Sequence, residues 1–259
     1  MKLENQKNTA RVTQAMIEAA LRELGLKDGD IVIAHSSLKS FGYVEGGADA
    51  VIDALLSVLG PDGTACFPTL TYGSYNPENP PPPFDPDVNP GIVGTIPEVF
   101  RKRPEAIRSL HPTHSIACIG SRAAELTEGH ENSETPCGPK SPWGKIADLG
   151  GYVLMIGCGT APLTMSHGAE EVIDYDVRCT PVTLCKILKD DEWIEAGLRL
   201  HGPYEKQGPG RREMEGILEE AGYLRRTQVG NSVLLLIEAR GVWEVSTRLC
   251  RENPGRMPA

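Results

Sequence analysis

The residues with the clearest chemical potential lie in one segment, GCGTAPLTMSHGAEE. Thr164, His167 and Glu170 follow one another there at intervals of three residues, a spacing that brings them near one face of a helix. A carboxylate beside an imidazole fixes the tautomer of the ring and raises its basicity. Such a ring, with an ordinary pKa of about 6.5, can remove a proton near neutral pH. The spacing indicates a general base, although the same pair is also a common contact on a helix surface.

Two further polar segments could position a ligand around this base. In HSSLKSFG, which continues an apolar run, Ser36 and Ser37 are followed by glycines that allow a ligand close to the backbone. In RSLHPTHS, which precedes another apolar run, Arg108, Ser109 and Ser115 could hold a phosphate or an amide. Helix-capping serines and an ordinary polar loop are the alternative interpretations of these two segments.

A cysteine is a third kind of candidate, since the segment ETPCGPKSPWGKI has Cys137 at its centre. A cysteine nucleophile needs a nearby base and some exposure to solvent. Nothing in the sequence around Cys137 demonstrates either, so a structural loop is the favoured interpretation.

The hydrophobic pattern predicts an α/β fold that would position these segments. Residues 9–24 have an apolar stripe at helical spacing, with Thr13 as a candidate N-cap. The strand IVIAHSS, a helix over residues 46–59 and the strand TACFPTL form a predicted βαβ unit. Further strands are predicted at SIACIGS and YVLMIGCG, and a short helix with Pro97 in its first turn at TIPEVFRKRP.

The rest of the pattern is less regular. A long proline-rich stretch, LTYGSYNPENPPPPFDPDVNPGIVG, is a length of loop that is often functional, although a passive surface loop is the alternative. The C-terminal third predicts a helix in MEGILEEAGYLRRT ending near Gly222, then a strand and a helix in NSVLLLIEARGVWEVSTRLCRENP. The strands are too short and too widely separated for a simple doubly wound sheet, and no dinucleotide-binding or Walker A sequence is present.

Composition narrows the class of protein. The 259 residues are 40% hydrophobic, which is typical of a globular chain, and we expect a single domain over residues 1–259. A net charge of −9 argues against a nucleic-acid partner and would attract a cationic small molecule. The seven cysteines are scattered, and no apolar run approaches the roughly 20 residues of a membrane span. We therefore expect a reduced, cytoplasmic protein without a membrane partner, and a homo-oligomer stays open.

Taken in order, these segments resemble the aminoglycoside 3-N-acetyltransferase family of antibiotic N-acetyltransferases. The matching pieces are HSSLKSFGYVEGG, GIVGTIPEVFR, RSLHPTHSIACIG, TPCGPKSPWGKI, GYVLMIGCGTAPLTMSHGAEE and the C-terminal strands and helix. The resemblance extends over about residues 10–255, and an ordered set of motifs is more specific than any one of them. It implies the family's own α/β arrangement, with short strands and long connecting loops and distinct from the GNAT fold.

The resemblance also implies a reaction and a site. Acetyl-CoA would be the acyl donor, the acceptor would be an amine of an aminoglycoside-like molecule, and no metal is expected. His167 would be the general base, oriented by Glu170, and Thr164 would lie near the reacting carbonyl. Six residues would lie near the carrier arm of the cofactor: Ser36, Ser37, Thr69, Arg108, Ser109 and Ser115.

One segment departs from the family pattern, because Ala161 and Leu163 stand where members often have polar groups. Loss of an acidic group there would weaken the binding of a polycationic antibiotic. The resemblance therefore also allows a family member that acts on a different amine, with little or no antibiotic activity.

Three other functions stay open. A metal held by His35, Cys158 and His167 would give a hydrolase or a metal-aided transferase. An acyl group carried on Cys137 or Cys158 would give a cysteine-dependent enzyme. A chain with an altered acceptor loop could also bind CoA without catalysing a reaction.

Overall fold

The computed structural model describes residues 11–173, 178–202 and 213–252. The strands are, in chain order, β1 (Arg11–Val12), β2 (Ile31–Ser36), β3 (Tyr43–Val44), β4 (Thr64–Pro68), β5 (Ile107–Arg108), β6 (Ile116–Gly120), β7 (Tyr152–Ile156), β8 (Thr183–Lys189), β9 (Glu192–Leu198), β10 (Leu224–Val229) and β11 (Ser232–Glu238). The helices are α1 (Gln14–Glu23), α2 (Gly47–Leu59), α3 (Thr95–Phe100), α4 (Ala123–Thr127), α5 (Pro142–Asp148), α6 (Ser166–Ile173), α7 (Met214–Glu220) and α8 (Ala239–Glu252).

A seven-stranded mixed sheet forms the centre, in the order β10-β11-β7-β2-β4-β6-β5. The central strand β2 is parallel to both neighbours, β4 and β7, whereas the outer strands pair antiparallel. Since α2 connects β2 to β4, the predicted βαβ unit is confirmed. The mixed sheet also confirms the expected α/β class.

Helices cover both faces of this sheet. One apolar core joins it to α1, α2 and α3, and a second core joins its other face to α4, α5, α7 and α8. Alternate residues of β2 enter the two cores: Val32 and Ala34 enter the first, Ile31 and Ile33 the second. The apolar run Ile31–Ala34 of β2 is therefore what a strand buried on both faces requires.

Most predicted elements are confirmed, with shifted boundaries. The N-cap of α1 is Thr13, whose hydroxyl accepts a hydrogen bond from the Met16 N–H at 3.4 Å, and the helix proper begins at Gln14. The predicted start of this helix, residues 9 and 10, lies outside the described residues. The predicted helix with Pro97 in its first turn is α3. No helix in the described part of the chain has the length and apolar character that a membrane crossing needs.

Four elements of the C-terminal half were not predicted. The helix α5 occupies the end of the segment ETPCGPKSPWGKI, for which a structural loop was the favoured interpretation, and Ser141 is its N-cap. The antiparallel hairpin of β8 and β9 stands as a separate two-stranded sheet. The strand β10 follows the predicted end of a helix near Gly222, in residues that the prediction assigned to no element; that helix, α7, ends at Glu220.

The proline-rich stretch is anchored to the hairpin by Phe84. The Phe84 N–H donates to the Lys186 carbonyl at 2.8 Å, and the Leu188 N–H donates back to the Phe84 carbonyl at 2.8 Å. The ring is buried against apolar side chains of the hairpin, including Ile187 and Leu198. The guanidinium of Arg108 also lies over the ring, 4.9 Å from its centroid.

We expect Phe84→Ala to lower the free energy of unfolding by about 3–5 kcal/mol, because it leaves a cavity where a fully buried ring was. Urea denaturation of the wild type and the variant measures this difference. Val88→Ala in the same stretch is the matched control, since Val88 is 72% exposed and should change stability by no more than about 0.5 kcal/mol. Equal stabilities for the wild type and Phe84→Ala would show that Phe84 does not anchor the stretch.

Candidate active site

His167 and Glu170 form a buried pair on α6. The helix follows β7 after a short loop, and His167 lies in its first turn. His167 Nδ1 is 2.7 Å from Glu170 Oε2, and the two side chains are only 9% and 2% exposed. The pair is thus an interior contact and not the surface contact that the spacing alone also allowed. With Nδ1 engaged by a carboxylate, Nε2 is the ring nitrogen that can act on a substrate proton.

Close packing fixes the position of α6. Gly168, next to His167, lies against the Trp243 ring of α8 and the Cys137 carbonyl. A Cβ at Gly168 would overlap both groups, so a side chain at this position would push α6 away from α8. The imidazole therefore sits on a helix with little freedom to move.

A small cavity lies where the central parallel strands end. It has a volume of about 60 Å³ and is bordered by His35 and Ser36 at the end of β2 and by Pro68 at the end of β4. Cys158, just beyond β7, and Thr164, just before α6, complete this part of the wall. Thr164 is buried, and its hydroxyl donates to the Pro162 carbonyl at 3.3 Å. Ligand sites of open α/β sheets lie at this edge, at the carboxyl ends of the strands.

Three of the predicted cofactor residues come together, but they bond to one another. The hydroxyls of Thr69 and Ser115 are 2.9 Å apart, and Arg108 Nε donates to both, at 3.0 and 3.1 Å. The rest of the guanidinium donates to the carbonyls of Thr69, Pro86 and Asn89. Burial lowers the pKa of Arg108 to about 10. In this structure Arg108 ties the proline-rich stretch to the sheet, and its cofactor role stays a prediction.

The other three predicted cofactor residues differ in their surroundings. The Ser109 hydroxyl is buried, 2.9 Å from His130 Nδ1, and accepts a hydrogen bond from the Ile116 N–H. Ser37 begins a 3₁₀ helix, and its N–H donates to the Ile156 carbonyl at 2.9 Å. Of the six predicted cofactor residues, only Ser36 borders the small cavity.

The surroundings of both candidate nucleophilic cysteines disfavour the thiolate. Cys137 is fully buried, and burial together with the Glu171 carboxylate raises its pKa well above the usual range. Burial also raises the pKa of Cys158 to about 11. Since the thiolate is the nucleophile, neither environment is that of an acyl-carrying cysteine.

The two residues that depart from the family pattern are placed differently from what the sequence suggested. Leu163 is 0% exposed and belongs to the apolar core, while Ala161 is at the surface. Leu163 therefore packs the protein interior and does not replace a polar group in an open acceptor site.

The metal trio considered from the sequence does not converge. In the part of the chain that the structure describes, the ligand atoms of His35, Cys158 and His167 form no cluster of metal-binding dimensions. The cluster that does form there consists of His114, Cys137 and His201.

Comparison with known proteins places the chain in a family. The sequence model of a family described as aminoglycoside 3-N-acetyltransferase matches residues 33–251. The chain belongs to the aminoglycoside 3-N-acetyltransferase family. Members are acyltransferases, and acetyl-CoA is the acyl donor of the family.

Individual members of the aminoglycoside 3-N-acetyltransferase family show how far the similarity extends. Aminoglycoside N(3)-acetyltransferase VII of Streptomyces paromomycinus is 32% identical over 95% of this chain and 93% of its own length. Aminoglycoside N(3)-acetyltransferase IX of Micromonospora chalcea is 36% identical, over 63% of each chain. The solved structure of AAC-IIIb with CoASH is 25% identical and superposes with a TM-score of 0.81, covering 96% of this chain and 100% of that one.

Two residues beside the predicted acetyltransferase base were not found from the sequence. Glu171 follows Glu170 directly, and its Oε1 lies 2.5 Å from His201 Nε2. The ring of His201 lies 4.6 Å from the ring of His167, centroid to centroid. The repeated glutamate was the signal that the sequence offered, because His201 lies 30 positions further along the chain, just beyond β9.

We expect Arg108→Lys to lower the free energy of unfolding by about 2–4 kcal/mol, because a lysine cannot reach the carbonyls and hydroxyls that the guanidinium serves. Urea denaturation measures the loss, and Arg122→Lys, in an exposed ion pair with Glu125, is the control that should change little. An unchanged stability with a raised KM for acetyl-CoA would instead favour the predicted role in cofactor binding.

Proposed function

We propose that the chain transfers the acetyl group of acetyl-CoA to an amino group of an aminoglycoside-like acceptor, with His167 as the general base. The buried contact of 2.7 Å between His167 Nδ1 and Glu170 Oε2 carries this proposal. The membership of the family supplies the donor, and the names of the relatives supply the acceptor class.

The reaction needs a base because the neutral amine that attacks the thioester must lose a proton to become an amide. In the proposed step His167 Nε2 accepts a proton from the amine as the amine nitrogen bonds to the thioester carbonyl carbon. The carbon–sulfur bond then breaks, the acetyl group stays on nitrogen, and the CoA thiolate leaves and takes up a proton. Atoms and charge balance without a further reactant.

Glu170 has two roles in this scheme. Its contact with Nδ1 keeps the proton on that nitrogen, so that Nε2 presents its lone pair. When His167 accepts the substrate proton, the neighbouring carboxylate also stabilises the imidazolium that forms. In a buried pair this stabilisation is little screened by solvent, so it acts where the charge develops.

The thioester is proposed to lie at the carboxyl ends of the central strands. The cavity of about 60 Å³ there has room for an acyl group but not for a nucleotide, so the rest of the cofactor would extend outside it. Thr164 and Ser36 border this cavity. The Thr164 hydroxyl is proposed to stabilise the oxyanion by turning from the Pro162 carbonyl to the reacting carbonyl.

The acceptor is proposed to be cationic. A net charge of −9 favours the approach of a polyamine. The sequence suggested a different amine because Ala161 and Leu163 replace polar groups, but the burial of Leu163 removes half of that argument. Aminoglycosides are therefore the first acceptors to test.

We expect His167→Gln to lower kcat for acetyl transfer about 10²- to 10⁴-fold, the usual contribution of a general base, with a smaller change in KM for acetyl-CoA. Glu170→Gln should lower kcat at least about tenfold because the ring then loses its fixed orientation. Thiol release from acetyl-CoA, measured with a panel of aminoglycosides and simple amines, gives both values.

Val172→Ala is the matched control on the same helix, since its side chain is exposed and has no part in the scheme. It should retain wild-type kcat. Full turnover by His167→Gln would exclude His167 as the base, whereas wild-type turnover with simple amines alone would keep the base and change the acceptor.

A further inference from the structure

Three separate segments bring potential metal ligands together close to His167. His114 lies between β5 and β6, Cys137 lies just before α5, and His201 follows β9. One ligand atom from each residue lies within 4.8 Å of the other two. Two imidazoles and a thiolate are the ligands that zinc prefers in proteins.

We propose that His114, Cys137 and His201 bind a zinc ion. This site differs from the trio of His35, Cys158 and His167 considered from the sequence, and it stands against the expectation of no metal. It adds a metal centre to the fold and does not depend on the proposed acetyl transfer.

The hydrogen bonds of the two histidines fit this assignment. A histidine that binds a metal through one ring nitrogen commonly contacts an oxygen through the other, which fixes the ring. His114 Nδ1 lies 2.9 Å from Thr113 Oγ1, and His201 Nε2 lies 2.5 Å from Glu171 Oε1. The contact between Glu171 and His201 would be the carboxylate–histidine–zinc arrangement.

Glu171 also connects the cysteine to this arrangement. The Cys137 N–H donates to both carboxylate oxygens of Glu171, at 3.1 and 2.9 Å. Glu171 and Cys137 are both buried, so the negative charge of a carboxylate or a thiolate is costly at this place. A divalent cation would offset that cost for both groups and convert Cys137 to the thiolate that binds it.

The three ligand atoms must move slightly closer together to bind a zinc ion. Donors around a tetrahedral zinc lie roughly 3.3–3.8 Å apart, so a spread of up to 4.8 Å closes with shifts of about 1 Å. A cavity of about 420 Å³ lies beside the site and is bordered by Glu171 and by Gly138, the neighbour of Cys137.

The position of the site predicts what the ion does. The His201 ring lies 4.6 Å from the His167 ring, so a zinc there would fix the group that packs against the base. It would also join the segments of His114, Cys137 and His201, which the chain brings from three places. Three protein ligands leave the fourth position of a tetrahedral ion to water, and we expect the ion to hold α6 and its surroundings in place.

Cobalt(II) titration of the chelator-treated protein tests the proposal, since cobalt replaces zinc and gives a thiolate charge-transfer band and strong visible bands in a tetrahedral site. We expect one equivalent to produce these bands in the wild type and zinc to abolish them. Zinc at about 100 times its Kd should raise Tm by about 5–10 °C. Glu171→Gln should weaken zinc binding about 10- to 100-fold, measured by competition with a chromophoric chelator.

Cys137→Ser should lose the charge-transfer band, whereas Cys185→Ser, a buried cysteine of the β8–β9 hairpin, should keep it. If Cys137→Ser does not fold, the cobalt(II) titration of the wild-type protein still tests the proposal. The absence of stoichiometric cobalt binding, or binding without a thiolate charge-transfer band, would overturn it. A Cys137→Ser protein that keeps the band would also overturn it. None of these readouts uses acetyl transfer, so their failure is distinct from failure of the proposed function.

Discussion

The strand β2 pairs in parallel with β4 on one side and β7 on the other, and this pairing determines where the parts of the site can lie. Ser36 is opposite Ile156, so β2 and β7 end at the same level of the sheet. The chain must then turn at once, and Gly157 adopts a φ of 63° there. A Cβ at Gly157 would collide with the Ser40 hydroxyl. The turn that leads to α6 is therefore available only because the sheet and the neighbouring 3₁₀ helix leave room for a glycine.

The elements that could be predicted from the sequence are those whose signal is local. The strands β2 and β4 are short apolar runs, and the helix α2 between them has an apolar face at helical spacing, so each reads correctly alone. The strand β10 lies at the sheet edge, where Arg225 and Arg226 are exposed, and such charges protect an edge from further pairing. The same charges interrupt the apolar pattern by which a strand is predicted, so β10, which closely follows α7, was not recognised. The β8–β9 hairpin was missed because its apolar face packs on Phe84, far away in sequence.

The same division holds for the candidate site. The contact between His167 and Glu170 spans three positions of one helix, so spacing alone predicted it. The sequence also identified Arg108 as a strong hydrogen-bond donor, but it did not predict which groups accept those bonds. The acceptors are in the proline-rich stretch and in Thr69 and Ser115, which flank β4 and β6. A polar residue directed into the fold has the same local sequence as one directed at a ligand. His201 is brought to His167 by tertiary structure alone, so no spacing rule could find it.

The consecutive glutamates of α6 explain how these parts constrain one another. Neighbouring residues of a helix point about 100° apart, so Glu170 contacts His167 while Glu171 contacts His201. Each carboxylate is buried, and a buried carboxylate that loses its partner is costly. A rotation of α6 would break the contact of Glu171 with His201 but would leave the contact between His167 and Glu170 intact, because both of those residues are on the helix. His201 and the close packing of Gly168 therefore fix the angle of the helix. The orientation of the proposed base thus depends on His201, and on any ion that holds His201, although neither is required to touch the substrate.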